Sequence, residues 1–382
     1  MSAMIPNAVA VVGLIWAITV AGAAEPICAP KPLAPVLASP QWRTDGFYFE
    51  LQSPWSATYL LQISTNFHDW TTFSTNYVVP YWRPLIRVPV PSTQAYVRAL
   101  LDDPQYPLFD FAIRTKEGVR TGSLGITLDS YDSSDPRYSI NGMYDPAKTK
   151  DGGDVVLGWG VEGFEDLGNS KIKGKLLTVS NTTVTIGTNA QIGSTEWHVA
   201  GNTGIEPGWW TDNLGPTYMP RPVDPPFTTG AVPPPGTGEN RGYNYVMSTG
   251  DYVLNTLNGN VLVVGNARLL VRSNCLAKAI VISTNASLQI FLAGDAAFAG
   301  IATRTADVTA FQVYGLASNY QISFGGNTAL AGLIYAPNAY CNMLGGGADM
   351  IDFCGAFIVR SLGVFGHYHL HFDEQLKRYC VP

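Results

Sequence analysis

From residue 123 onward the chain is a train of short apolar runs separated by Gly and Asx corners, and this rhythm limits the fold more than any other feature. Runs such as Lys171 to Val179, Val261 to Val264, Ala267 to Val271, Ala279 to Ile282, Ala286 to Leu292, Phe311 to Tyr314, Gln321 to Phe324, Leu330 to Tyr335 and Ala356 to Val359 have strand length. Between them fall Gly259-Asn260, Gly265-Asn266, Thr284-Asn285 and Gly326-Asn327, residues that adopt the left-handed backbone of a tight corner. Helix-like windows are scarce, so the pattern predicts a stacked β-coil, a β-solenoid or parallel β-helix. Charge agrees: residues 255–365 carry five basic and four acidic side chains. In-register stacking sets like side chains above one another, and repeated charge there would repel. The tail Phe372 to Arg378 restores charge and is expected to cap the open end of the coil.

Pro216 to Asn240 holds eight prolines in 25 residues and cannot be a central strand. The same texture on both sides makes it a long loop over the coil, within a solenoid domain spanning 122–378. Upstream, alternation changes to that of half-buried antiparallel strands. Phe47, Phe49 and Leu51 share a face, as do Tyr59, Leu61 and Ile63, then Val97 with Ala99, and Phe109 with Phe111 and Ile113. Asn66 to Asp69 reads as a turn and Trp70 as a core side chain. This spacing predicts a small β-sandwich over 41–115.

Residues 1–24 contain no charged side chain, and Ala8 to Ala24 is an apolar run of 17 residues. Ala21-Gly22-Ala23 has the small-x-small form of a cleavage site, so a signal peptide removed after Ala23 or Ala24 is expected, with a retained anchor as the alternative. A Pro-rich spacer, 25–40, follows. The mature chain is expected to be extracellular or at the cell surface, with no membrane span. A net charge of −6 excludes the basic footprint that nucleic acid requires. The five cysteines, Cys28, Cys275, Cys341, Cys354 and Cys380, form no CxxC pair. Cys341 with Cys354 is the nearest couple, and burial as free thiols is the competing expectation.

Two resemblances follow from particular residues. Tyr59 to Asn66, Asp69-Trp70-Thr71 and Tyr96 to Ala99 resemble the fibronectin type III-like modules of exported bacterial proteins. Asp129-Ser-Tyr-Asp-Ser-Ser134, Trp197-His-Val-Ala-Gly-Asn202, Ile334-Tyr-Ala-Pro-Asn338 and His371-Phe-Asp-Glu374 resemble a family of exported bacterial β-helical domains. That family occurs in surface proteins and near type IV pilus components and has no assigned activity. The resemblance implies the fold and export.

Candidate sites are few. Gly158 to Gly163 fits GxGxxG, but no helical pattern follows to receive a pyrophosphate, so no cofactor is expected. His367, His369 and His371 lie two apart, so a strand would point all three one way. They are either a polar outer face or, as a pair with a carboxylate such as Asp373, metal ligands. Asp129, Asp132 and Asp135, with Asp145, Asp151 and Asp154, could offer hard oxygen ligands to calcium, although Asp also caps turns unaided. Trp197, Trp209 and Trp210 could make an aromatic platform for glycan, or pack the Pro-rich loop. Arg268 and Arg272 share a strand face with no carboxylate evident beside them, a weak match to polysaccharide-cleaving solenoids.

The expected protein is an all-β, exported, non-enzymatic structural or adhesive one that binds polysaccharide, matrix or a surface protein. The alternatives are a β-helix polysaccharide lyase or hydrolase, and a pilus or secretion apparatus component.

Overall fold

The computed structural model describes residues 36–44, 46–52, 57–66, 69–78, 83–89, 96–101, 109–122, 125–157, 164–179, 182–214, 224–303, 307–326, 329–345 and 350–378. The expected signal segment, Cys28, Cys380 and the GxGxxG stretch lie outside them. The described residues are mostly β, with 57% strand and 6% helix. Its contacts divide it into two compact units, 1–108 with 378–382, and 109–377.

The first unit consists of β1 (Val36–Arg43), β2 (Gly46–Gln52), β3 (Ala57–Ser64), β4 (Thr71–Val78), β5 (Leu85–Val88) and β6 (Tyr96–Leu101). They form two antiparallel sheets, ordered β1-β2-β5 and β4-β3-β6. Alternation dictates the core: Phe49, Leu51, Tyr59, Leu61, Ile63, Ile86 and Val88 are buried, with Val97 and Ala99 packed against them. Residues 36–40, expected in the spacer, begin β1. This edge strand tolerates Pro40 because the register slips between Ala38 and Gln41. Trp70, expected in the core, is half-buried, with the Arg98 guanidinium 4.1 Å from its ring centroid. The Asp69 amide donates to Asn66 Oδ1 at 2.9 Å, which closes the expected turn.

The second unit begins at Phe109, so Phe109, Phe111 and Ile113 belong to it and not to the first unit. Its strands before the Pro-rich segment are β7 (Ile113–Thr121), β8 (Thr127–Tyr131), β9 (Val155–Leu157), β10 (Phe164–Asp166), β11 (Lys171–Lys173), β12 (Leu176–Val179), β13 (Thr183–Thr185), β14 (Gln191–Gly193), β15 (Gly204–Ile205) and β16 (Trp210–Leu214), with helix α1 (Thr195–Val199) before β15. After it come β17 (Tyr245–Met247), β18 (Gly250–Leu254), β19 (Leu257–Val263), β20 (Asn266–Val271), β21 (Cys275–Ile282), β22 (Ser287–Leu292), β23 (Ala296–Phe298), β24 (Ile301–Thr303), β25 (Phe311–Gly315), β26 (Gln321–Phe324), β27 (Leu330–Met343), β28 (Ile351–Val364) and β29 (Tyr368–Asp373).

These strands pair in parallel, rung upon rung. One ladder of ten runs β18-β20-β22-β25-β27-β28-β7-β9-β12-β16. Nine inter-strand steps make it about 43 Å long. A second ladder links β28, β29, β8, β11, β14 and β15.

Rung order is not chain order. The last strands in the sequence, β28 and β29, pair with the first of the unit, β7 and β8. Within this unit the described strands therefore start in mid-stack and run outward to β16, then resume at β17 and run back until the last of them meet the first. We call this junction the seam. It overturns the capping expectation for the tail, because β29 is paired on both sides and lies inside the stack.

At β18 the edge is met by the Pro-rich segment. The Ala231 amide donates to the Asp251 carbonyl and the Val253 amide to the Ala231 carbonyl, each at 3.0 Å. Val246 donates to the Pro234 carbonyl at 2.8 Å. Prolines 233–235 have no N–H to continue the ladder, so pairing stops there.

The long ladder is buried on both faces, which is why its strands read as continuous apolar runs rather than alternating ones. Leu269, Ile290, Val313, Ile334, Phe357, Ile113, Val155 and Leu176 stack in register on one face. On the other face Phe227, Phe291, Tyr314, Tyr335 and Phe109 make a chain of ring contacts, with centroids 5.0–6.4 Å apart.

Candidate metal centre at the seam

The seam sets β28, β29 and β8 side by side. Register aligns Asp352 of β28 with His369 of β29 and Thr127 of β8, and aligns Cys354 with His371 and Asp129. Because strand side chains alternate, Asp352, His369, His371 and Asp129 emerge on one face, with Tyr368, Leu370 and Phe372 buried on the other.

His371 is the centre of this group and is 2% exposed. Its Nδ1 lies 2.6 Å from Asp129 Oδ1, and the Tyr144 hydroxyl donates to Asp129 Oδ2 at 3.0 Å. The Tyr144 ring stacks on the imidazole with centroids 3.6 Å apart and 24° between planes. This pairing makes Nδ1 the donor to Asp129 and turns Nε2 to the open side, where Asp352 Oδ1 lies 3.2 Å away. The same carboxylate oxygen is 3.8 Å from His369 Nδ1. Donor atoms of Asp352, His369 and His371 all lie within 4.8 Å of one another. His369 is 33% and Asp352 53% exposed, so the group opens to solvent on one side.

Electrostatics follow from this burial. Desolvation, then the neighbouring His371, lowers the His369 pKa and favours its neutral, ligating form. Burial, then Asp129, pushes the Tyr144 hydroxyl far up, so it stays a proton donor. The segment behind is stitched to the tail. Ser133 and Gln375 amides donate to Asp373 Oδ1 at 3.0 and 3.1 Å, Ser130 Oγ donates to Glu374 Oε1 at 2.8 Å, and Lys150 pairs with Glu374. Two of the four sequence blocks, Asp129–Ser134 and His371–Glu374, thus touch each other.

The expected candidates separate on this evidence. His367 precedes β29 and is outside the cluster; its backbone donates to the Gly345 carbonyl. His371 lies under Tyr144 instead of on a polar outer face. Asp352 takes the place expected for Asp373, whose carboxylate is held by backbone amides. Asp129, Asp132 and Asp135 do not converge. Asp132 Oδ1 accepts from the Ser134 amide at 3.0 Å, and Asp135 pairs with Arg137, which holds its carboxyl down at about 2. Asp145 caps a short turn through the Ala147 amide, Asp151 accepts from Thr195, and Asp154 accepts from Lys175. Among the described residues, Asp352, His369 and His371 form the metal-competent group.

Trp197 sits on α1, while Trp209 and Trp210 flank the start of β16. No ring contact joins the three among the described residues. Trp210 Nε1 donates to Thr178 Oγ1 at 3.1 Å, and Lys175 Nζ lies 6.0 Å from the Trp209 ring. Arg268 does have a carboxylate in register: Asp251 on β18 binds it at 2.6 and 2.7 Å, and Phe227 packs under its guanidinium. Arg272 donates to the Thr228 carbonyl at 2.9 Å. Both arginines thus fasten the Pro-rich segment. Cys275, Cys341 and Cys354 are free thiols, so Cys341 and Cys354 are not bridged. Register separates those two, with Cys341 opposite Leu362 and Cys354 opposite Ala331.

Sequence reasoning missed Asp352 and Tyr144. Alternation in Ile351-Asp352-Phe353 places Asp352 on an outer face, but only strand register brings it to His369. No helix among the described residues is long and apolar enough to cross a membrane. The geometry defines a mostly β protein with a large parallel-stranded unit and a His-His-Asp cluster. Residues 238–379 match the family model of a domain of unknown function, DUF7305. That segment includes Asp352, His369 and His371 and excludes Asp129 and Tyr144. Neither a curated protein nor a solved structure matches the chain.

Proposed function

We propose that this is an exported structural or adhesive surface protein: a fibronectin III-like sandwich followed by a β-solenoid that presents a rigid face to polysaccharide, matrix or a partner protein. The observation that carries this reading is the ten-strand parallel ladder running unbroken across the seam. Stacking of this kind makes a stiff scaffold, because every rung is hydrogen-bonded to both neighbours. The sandwich part rests on the two three-stranded antiparallel sheets, with first, second and fifth strands on one and third, fourth and sixth on the other. Export rests on the apolar N-terminal run, Ala8 to Ala24.

Intact-mass measurement of the native protein from medium, surface and membrane fractions tests export. A mass beginning at Ala24 or Glu25 at the surface or in the medium is expected. A full-length chain confined to the inner membrane would refute export and favour an apparatus component. For adhesion, the mature chain is expected to be retained by envelope polysaccharide or matrix. Absence of retention on all of these would remove the adhesive role.

A further inference from the structure

We propose that Asp352, His369 and His371 bind a divalent transition-metal ion of the zinc class at the seam, with Asp129 as the positioning residue for His371. The donor set is two imidazoles and one carboxylate, which suits zinc and its neighbours. Calcium and magnesium need several hard oxygens, and this group has one carboxylate. Zinc bonds of about 2.0–2.2 Å place neighbouring donors about 3.3–3.5 Å apart. Here Asp352 Oδ1 is 3.2 Å from His371 Nε2 and 3.8 Å from His369 Nδ1. The Asp352–His369 edge needs a few tenths of an ångström to reach that spacing, and the His369–His371 edge, within 4.8 Å here, closes by movement of the part-exposed His369 side chain.

The buried member is already built for the task. A ligating histidine characteristically gives its other ring N–H to a carboxylate, which fixes the tautomer and raises the basicity of the ligating nitrogen. His371 does this with Asp129 at 2.6 Å, and Tyr144 holds both the ring and the carboxylate. Three protein donors leave at least one position open to water on the exposed side.

Location gives the site a consequence. Asp352 lies on β28, the two histidines on β29, and Asp129 on β8. An ion held there would join β28 to β29, and its link across the seam to β8 would run through the His371–Asp129 hydrogen bond.

The test uses the full chain, stripped with a chelator, desalted, and titrated with zinc chloride by calorimetry, with cobalt(II) absorption as a second readout. One equivalent of zinc is expected, with cobalt bands of a low-coordinate site and a rise in thermal midpoint. His369→Ala and Asp352→Asn change partly exposed side chains and should fold as the parent does, yet lose the stoichiometric uptake, the bands and the rise. Asp129→Asn, which keeps all three ligands, should weaken affinity by about 10–100-fold. The proposal is overturned if the parent takes up no ion at micromolar zinc; His371 would then be only a hydrogen-bonded partner of Asp129 and Asp352. Equal uptake by the parent, His369→Ala and Asp352→Asn would overturn it too, by placing the ion elsewhere.

Discussion

Phe372 opens the stretch expected from its charge to cap the coil, where truncating a side chain would ordinarily cost little. The seam reverses that expectation. Phe372 is fully buried in β29, between β28 on one side and β8 on the other. Phe372→Ala removes the ring and leaves a cavity in mid-stack, a change that costs about 3–5 kcal/mol. For a unit of this size that lowers the thermal midpoint by roughly 6–20 °C. Calorimetry or dye-monitored melting reads the shift, and hydrogen exchange with peptide resolution reads its cause. In the parent, amides of residues 368–373 should exchange as slowly as those of β27 and β28. They should be slower than those of β17, which among the described residues pairs with β19 as its one strand neighbour. If residues 368–373 exchange like a frayed terminus, and Phe372→Ala melts within a degree or two of the parent, the seam is wrong.

Other consequences are simpler to check. Gly355 has φ +148° and an added Cβ would lie 1.9 Å from the carbonyl oxygen of Gly332, its in-register neighbour. Gly355→Ala should therefore cost about 2–5 kcal/mol in melting experiments, whereas Gly122→Ala, with nothing within 4 Å of its Cβ, should be close to neutral. Burial pushes the Asp110 carboxyl from 3.8 up to about 6, against the pull of Arg114. The folded chain then binds this proton more tightly than the unfolded one. Stability should fall between pH 4 and 6 by at most about 3 kcal/mol, and Asp110→Asn should flatten that slope; an unchanged slope would refute the assignment. Burial raises the Cys275 thiol to about 12 and the Cys341 thiol higher still. Neither should be alkylated at pH 8 until the protein unfolds, as peptide mapping would show.

Much of this molecule is legible in residue order. Alternation in Phe49, Leu51, Tyr59, Leu61 and Ile63 identifies the core of the first unit, because period two needs no partner to be recognised. The apolar runs from Ala267 to Val359 announce buried strands, and the prolines of 216–240 announce a segment that cannot join the ladder as a central strand. Trp70 and His371 defeated this kind of reading. What covers each of them comes from another part of the chain: Arg98 in one case, Tyr144 and Asp129 in the other.

The sequence by itself thus determined strand content, corner positions, and the places where backbone hydrogen bonding must stop, since these depend on side chains and φ angles within a few residues. Tertiary structure decided the order of the rungs. A parallel ladder carries no local mark of which strand comes next, so nothing in Tyr368–Asp373 announces that Thr127–Tyr131 will lie beside it. The same long-range choice placed Asp352, His369, His371 and Asp129 together. Their meeting depends on register across 242 positions of separation between Asp129 and His371, which no spacing in the sequence encodes.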